Sequence, residues 1–310
     1  MFFIWFFSIL FSILVILFAF TLVCYLLTFY SPKKRDVDVD NLQLPRGANY
    51  EDFREQMVSW IKDIRSKPYE TFSIKSFDGL TLKARYYEYA KNSPIEIVFH
   101  GYRGNCERDL SGAVERCFAL KRSVIIVDHR ASGESEGRTI TFGVNEVKDC
   151  LSWVNYVVKR FDNEVEIILG GVSMGGATVV MASSQNLPKN VKYIVSDCAY
   201  SSIKEIICKV IRDMKLPPKI VFPFIKLSAK LFGNFNLCEN SPEKAVKNAK
   251  VPIVFIHGDK DGFVPSSMSE TLYELCPTKK SLKVIKGAEH GLAYPVSKDE
   301  YVNAIKEFES

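Results

Sequence analysis

The spacing of apolar and polar positions changes twice along the chain. From Phe2 to Tyr30 there is no charged side chain, and Phe, Ile, Leu and Val dominate. About twenty apolar residues cross a ~30 Å hydrocarbon core. This run is longer, so it can cross with tilt or with its ends in the interfaces. A cleaved signal peptide fits less well, because no Lys or Arg precedes the run and no small-residue cleavage site follows it. Residues 1–31 are therefore expected to form a single transmembrane anchor. Lys33, Lys34 and Arg35 follow directly, and the positive-inside rule puts the C-terminal side in the cytoplasm.

Residues 32–70 read as a polar linker and a helix. Pro45 and Gly47 mark the linker. From Tyr50 to Lys67 the residues Phe53, Met57, Trp60, Ile61 and Ile64 recur at helical spacing, with Asn49 as a candidate cap. The polar face of this helix carries both signs of charge, which favours packing onto the globular part over a second membrane contact.

From Thr71 the pattern becomes that of alternating strands and helices. Residues 71–77 and 80–89 read as strands joined by Asp78-Gly79, a hairpin signal. Short apolar runs follow at 95–99, 123–128, 166–172, 191–196, 251–256 and 282–286. Helical segments separate most of them, at 106–120, 144–160, 174–186, 266–276 and 298–309. This alternation predicts an α/β domain over 71–310, with a mostly parallel, doubly wound sheet after the hairpin. Residues of about 199–250 break the alternation with Leu216-Pro217-Pro218, Pro223 and an apolar helical stretch at 219–232. A simple crossover is much shorter, so a helical cap inserted over the active site is expected.

Composition narrows the class. Of 310 residues, 47% are hydrophobic and 25% charged, as in ordinary globular proteins. The net charge of +5 comes from scattered basic residues, a solvated surface with no nucleic-acid footprint. Eight cysteines show no Cys-x-x-Cys spacing. They indicate neither a zinc site nor a redox motif, and read as free thiols in a reducing compartment.

The candidate chemistry begins at Gly171-Val172-Ser173-Met174-Gly175-Gly176, which follows a strand and opens a helix. Gly-x-Ser-x-Gly in that context is a nucleophile elbow. A serine hydroxyl needs a base. His100, His129, His257 and His290 are available. The order nucleophile, acid, base along the chain leaves His290, because His257 precedes the best acid candidates. Asp259 and Asp261 compete for the acid, with Asp197 a remote third. The turn at Val264-Pro265 comes straight after Asp261 and favours it. The acid would fix the imidazole tautomer and stabilise the imidazolium. Two backbone N–H groups would form an oxyanion hole. Met174 supplies one, and Tyr102, in His100-Gly101-Tyr102-Arg103-Gly104, is the candidate for the other.

These motifs, with Asp128-His129-Arg130-Ala131-Ser132-Gly133-Glu134-Ser135-Glu136-Gly137, Val264-Pro265 and His290-Gly291, resemble the serine α/β-hydrolase superfamily. Within it they are similar to the bacterial esterase/lipase-like branch, near the prolyl-oligopeptidase-like hydrolases of unassigned substrate. The likeness covers about residues 70–308. Relatives commonly carry a glycine where Ala131 stands. The resemblance implies an α/β-hydrolase fold and hydrolysis through an acyl-enzyme, with no metal and no organic cofactor. The expected substrate is a small-molecule acyl ester. A thioesterase or lipase drawing acyl chains from the bilayer is the alternative; Ile220, Phe222, Phe224 and Leu227 of the cap would line its apolar acyl pocket, and core packing accounts for them equally well. A non-catalytic, membrane-tethered binding protein on the same fold is the third reading.

Overall fold

The structure is a computed structural model that describes residues 2–32, 42–45, 47–161 and 164–310. Lys33, Lys34, Arg35 and most of the expected linker lie outside the described residues. Eight strands form one sheet in the order β1-β2-β4-β3-β5-β6-β7-β8. They are β1 (Glu70–Lys75), β2 (Thr81–Tyr87), β3 (Ile95–Phe99), β4 (Ser123–Val127), β5 (Ile167–Val172), β6 (Val191–Asp197), β7 (Ile253–Gly258) and β8 (Lys280–Ile285). β1 and β2 form the hairpin expected around Asp78-Gly79, and β2 joins β4 antiparallel; every later pairing is parallel. β3, β4 and β7 are buried along their whole length. That explains why they read as continuous apolar runs and not as alternating ones.

The helices are α1 (Phe2–Thr28), α2 (Arg54–Ser66), α3 (Cys106–Ala119), α4 (Glu146–Phe161), α5 (Met174–Ala182), α6 (Ile203–Asp213), α7 (Pro218–Leu231), α8 (Pro242–Val246), α9 (Ser267–Leu275), α10 (Ala293–Val296) and α11 (Lys298–Glu309). A short 3₁₀ helix, Ala48–Phe53, leads into α2. The sequence supplies clear start signals for some of these. The Asn105 side chain accepts from Arg108 N at 2.8 Å and caps α3, and Pro218 stands at the first turn of α7. α5 is buried at every residue, which is why it lacks an amphipathic pattern.

α2 lays Met57, Trp60, Ile61 and Ile64 against the body of the domain. A Cβ on Gly112 of α3 would stand 2.8 Å from the Trp60 ring, so glycine at that position is what lets the indole lie flat on α3. The indole N–H donates to Glu115 at 2.9 Å and the ring stacks on Tyr294 at 5.7 Å.

Helix α1 has 27 residues and is long and apolar enough to cross a membrane. The expectation that residues 1–31 stand apart from the globular part does not hold for their last third. Thr21, Cys24, Tyr25 and Phe29 are buried, and the last three belong to the main hydrophobic core. The chain leaving α1 pairs with the segment before α4. Ile140 N donates to Phe29 O at 2.9 Å, Ser31 N donates to Arg138 O at 2.8 Å, and the Tyr25 and Thr139 hydroxyls are 2.6 Å apart. α7 also packs on α1, through Phe224 on Phe20 and Phe232 on Phe18.

Candidate functional site

The C-terminal ends of β3 to β7 share one edge of the sheet, and the loops leaving that edge carry the residues singled out above. At the end of β5 the chain turns directly into α5. Ser173 holds φ 56 and ψ −116, a left-handed conformation that costs a non-glycine residue roughly 1–3 kcal/mol. The turn closes because Gly175 meets backbone: a Cβ there would lie 2.0 Å from Phe99 O. Ser173 N donates to Asp197 O at 2.8 Å, which pins the strained residue to β6.

His290 lies in the loop after β8, and the structure brings it to both expected partners. Its Nε2 is 2.9 Å from Ser173 Oγ, and its Nδ1 is 2.6 Å from Asp261 Oδ2. With Nδ1–H donating to the carboxylate, Nε2 is left to accept from the serine hydroxyl. The His290 main chain is held as well, since Tyr50 Oη donates to its carbonyl at 3.0 Å. Asp261 Oδ1 accepts from Phe263 N at 3.0 Å and from Val264 N at 2.7 Å. Burial alone would raise the Asp261 pKa. The hydrogen bonds from His257 and His290, the charge of His290 and the Val264 N–H outweigh it and hold the carboxyl down to about 2.

The competing residues do other work. Asp259 Oδ1 accepts from Gly287 N at 2.6 Å, tying the β7 loop to the β8 loop. Asp197 ends β6. Neither makes a hydrogen bond to His290 among the described residues. His257 is fully buried in β7, with Nδ1 2.7 Å from Ser269 Oγ and Nε2 2.8 Å from Val264 O. His100 and His129 are buried against each other at 4.7 Å. Burial and the neighbouring His100 push His129 down to about 3, so it is neutral at ordinary pH.

The Asp128–Gly137 motif is structural in this chain. Asp128 accepts from Cys106 N at 2.8 Å and from Glu134 N at 2.9 Å, while Arg130 bridges Asp149 and Asp78 at 2.6 and 2.9 Å. Ala131, where relatives commonly carry glycine, sits at φ 60. The exchange leaves an alanine in a region that costs L-residues about 1–2 kcal/mol.

Met174 N–H is the first of α5 and has no acceptor within its helix. No backbone carbonyl accepts from Tyr102 N among the described residues. Sequence reasoning missed what holds Tyr102. Its hydroxyl donates to Thr28 O at 2.7 Å, and its ring stacks on Phe142 at 5.0 Å. The adjacent Arg103 donates to Leu27 O at 2.9 Å and to Tyr30 O at 3.1 Å. The loop that contains one candidate oxyanion donor thus caps the last carbonyls of α1.

Beside Ser173 and His290 opens a cavity of about 240 Å³. Its wall is built by α3, by Tyr50, Met57 and Trp60 in and before α2, and by Phe263 and Tyr294 from the later loops. The expected acyl-pocket residues Ile220, Phe222, Phe224 and Leu227 do not line it. Ile220 and Leu227 face outward, Phe222 is buried in the core, and Phe224 rests on α1. The cause is that α7 docks on α1, away from the serine. Of the cavity wall, the sequence shows Met57 and Trp60 on the apolar face of α2. Arg116 Nη1 and Asp197 Oδ1 lie at this cavity without a partner among the described residues.

Cys198 Sγ, Asp261 and His290 offer ligand atoms within 4.8 Å of one another. Burial raises the Cys198 thiol well above its ordinary range. The arrangement reads as a thiol packed against the carboxylate–imidazole pair.

A family model for the alpha/beta hydrolase fold matches residues 97–221, from β3 into α7 and including Ser173. An esterase structure from Pyrococcus furiosus, Pf2001, superposes with a TM-score of 0.64 at 20% identity, covering 86% of this chain and 96% of that one. The chain is an α/β-hydrolase by fold. Among relatives of this chain, the uncharacterized protein YqkD of Bacillus subtilis is 27% identical over 89% of this chain and 87% of its own length. The uncharacterized membrane protein YNL320W of Saccharomyces cerevisiae is 23% identical over 79% of this chain and 81% of its own.

Proposed function

We propose that this α/β-hydrolase is a serine hydrolase that cleaves a carboxylic ester through an acyl-enzyme. The observation that carries the reading is the unbroken relay from Ser173 Oγ through His290 to Asp261, with contacts of 2.9 and 2.6 Å. Ser173 Oγ attacks the ester carbonyl while His290 Nε2 takes the hydroxyl proton. Negative charge collects on the carbonyl oxygen, which the N–H groups of Tyr102 and Met174 receive; one such donor is worth about 10²–10³ in kcat. His290 then protonates the leaving alcohol. Water, deprotonated by the same imidazole, attacks the acyl-enzyme and releases the acid and free Ser173. A cavity of about 240 Å³ falls below the ~300–1,000 Å³ typical of drug-sized ligands, which favours a short acyl group. The name of the Pyrococcus neighbour, an esterase, supports the ester as substrate.

The second reading keeps the chemistry and changes the source of substrate: a thioester or lipid acyl group taken from a bilayer. Helix α1 favours it. In this reading α1 is a single-pass anchor, and the Lys33-Lys34-Arg35 cluster holds the hydrolase domain on the cytoplasmic side. A fluorophosphonate probe should label the wild type and leave Ser173→Ala unlabelled. Absence of labelling on folded wild type would move the protein to the non-catalytic reading. Esters and thioesters graded by chain length then separate the first two readings.

A further inference from the structure

Helix α7 carries an exposed apolar face that the proposed chemistry does not use. Ile220, Pro223, Leu227 and Leu231 recur at the spacing of one helix face. Ile220 is 61% exposed, Leu227 45% and Leu231 56%. Met214 and Leu216, just before the helix, are exposed as well. Contiguous apolar surface of this kind marks an interaction site more often than a free surface. Lys219, Lys226 and Lys230 line the edge of this face, and none is paired with a carboxylate among the described residues. The helix contains no acidic residue.

The position of α7 says what covers this face. Phe224, at the opposite edge from the lysines, meets Phe20 of α1 at 5.0 Å, and Phe232 meets Phe18 at 5.5 Å. The exposed part of α1, Phe2–Phe20, rises about 28 Å at ~1.5 Å per residue. That matches a hydrocarbon core of about 30 Å. If α1 spans the bilayer, the hydrocarbon ends near Phe20, at the level where Phe224 and Phe232 bring α7 against α1. We infer that α7 is a second, in-plane membrane contact. Ile220, Leu227 and Leu231 lie in the interface, and Lys219, Lys226 and Lys230 reach the phosphates of anionic lipids, as amphipathic interfacial helices do. The inference rests on the reading of α1 as an anchor, and it names a bilayer surface, not another protein, as the occupant.

The test uses the full chain reconstituted in bilayers of phosphatidylcholine and phosphatidylglycerol. An environment-sensitive fluorophore is attached at Leu227→Cys, with Cys208 and Cys238, the two cysteines that are not buried, changed to serine. Leu231→Cys serves as the second site, Val15→Cys as the mid-helix reference and Glu307→Cys as the aqueous reference. Lipids brominated along the acyl chain should quench the labels at 227 and 231 at least threefold more than the label at 307. The quenching should weaken when phosphatidylglycerol is omitted. Quenching at Val15 but not at 227 or 231 would overturn the α7 contact and leave the anchor standing. No quenching at Val15 would remove the anchor, and this inference with it. A blue-shifted label at 227 that bromine does not reach would show the face covered by protein, such as a second copy, and would also overturn it.

Discussion

His257 and His290 converge on one carboxylate oxygen: Oδ2 of Asp261 lies 3.2 Å from His257 Nε2 and 2.6 Å from His290 Nδ1. One oxygen accepts both. His257 is fully buried and held by Ser269 and Val264, whereas His290 reaches the cavity beside Ser173. The two rings therefore divide the labour, His257 fixing the carboxylate and His290 using it.

Replacing each histidine should separate those roles. His290→Ala is expected to lower kcat by about 10³-fold or more with KM little changed. His257→Ala should cost about 2–4 kcal/mol of stability through lost packing and an unsatisfied Ser269–Val264 corner. Its kcat should fall only about tenfold. Steady-state kinetics together with thermal melts distinguish the two patterns, and comparable losses of kcat would contradict the assignment.

The two aspartates of the β7 loop give a second contrast. Asp261→Asn keeps an oxygen for Phe263 N and Val264 N but presents the wrong partner to His290 Nδ1. We expect kcat to drop by about 10⁴-fold with the fold retained. Asp259→Asn retains the acceptor for Gly287 N, so turnover should change by less than about threefold. A reversed order of effects would assign the acid to Asp259.

Asp261 also makes stability depend on pH. Its folded pKa of about 2 lies below the ordinary Asp value of ~3.9. The ionised form is thus favoured in the fold. The contribution is fully present above about pH 4 and is lost as pH falls through about 2, on the order of 2 kcal/mol. Urea unfolding of wild type and Asp261→Asn at pH 6 and pH 3 should show the gap between them narrowing at the lower pH. A constant gap would remove the linkage.

The capping of α1 by Tyr102 and Arg103 predicts that the apolar helix cannot be removed at residue 31 without loss. Deleting residues 2–31 takes away Tyr25 and Phe29 from the core. It also leaves the Tyr102 hydroxyl without Thr28 O. The cost should exceed about 5 kcal/mol. Deleting residues 2–17 spares these contacts and should preserve hydrolysis of a water-soluble ester. In the full chain, Tyr102→Phe should lower kcat several-fold at unchanged KM, because only the placement of the loop N–H is disturbed. Equal activity of the two deletions would show the helix end to be dispensable.

Much of this arrangement was legible in the sequence because it is local. The strands of the parallel sheet stand out as apolar runs between turn signals. Gly171, Ser173 and Gly175, standing between a strand and a helix, mark the elbow, and chain order favours Asp261 and His290. What escaped depends on partners far apart in sequence. An apolar run such as Phe2–Tyr30 gives no sign that its last turn is buried and its first turns exposed, since both are written in the same residues. The cavity wall escaped for a similar reason. Trp60 reaches the site only because Gly112, fifty-two positions later, leaves room for its ring. The apolar residues of α7 suggested a pocket, and only the packing of Phe224 on Phe20 reveals which side they face.

The backbone pairing that joins Ser31 to Arg138 and Phe29 to Ile140 has a consequence for encounter with substrate. A stalk attached through a swivel would let the domain sample every height and tilt, and a solute would be met from the bulk. Here the end of α1 is bonded to residues 138–140 and buried in the core of the domain, which ties the two together. With α1 in a bilayer, the serine travels at a fixed elevation above a plane. Its turnover would then follow the number of substrate molecules per unit area of that plane, and would fall when inert lipid dilutes them at constant bulk concentration.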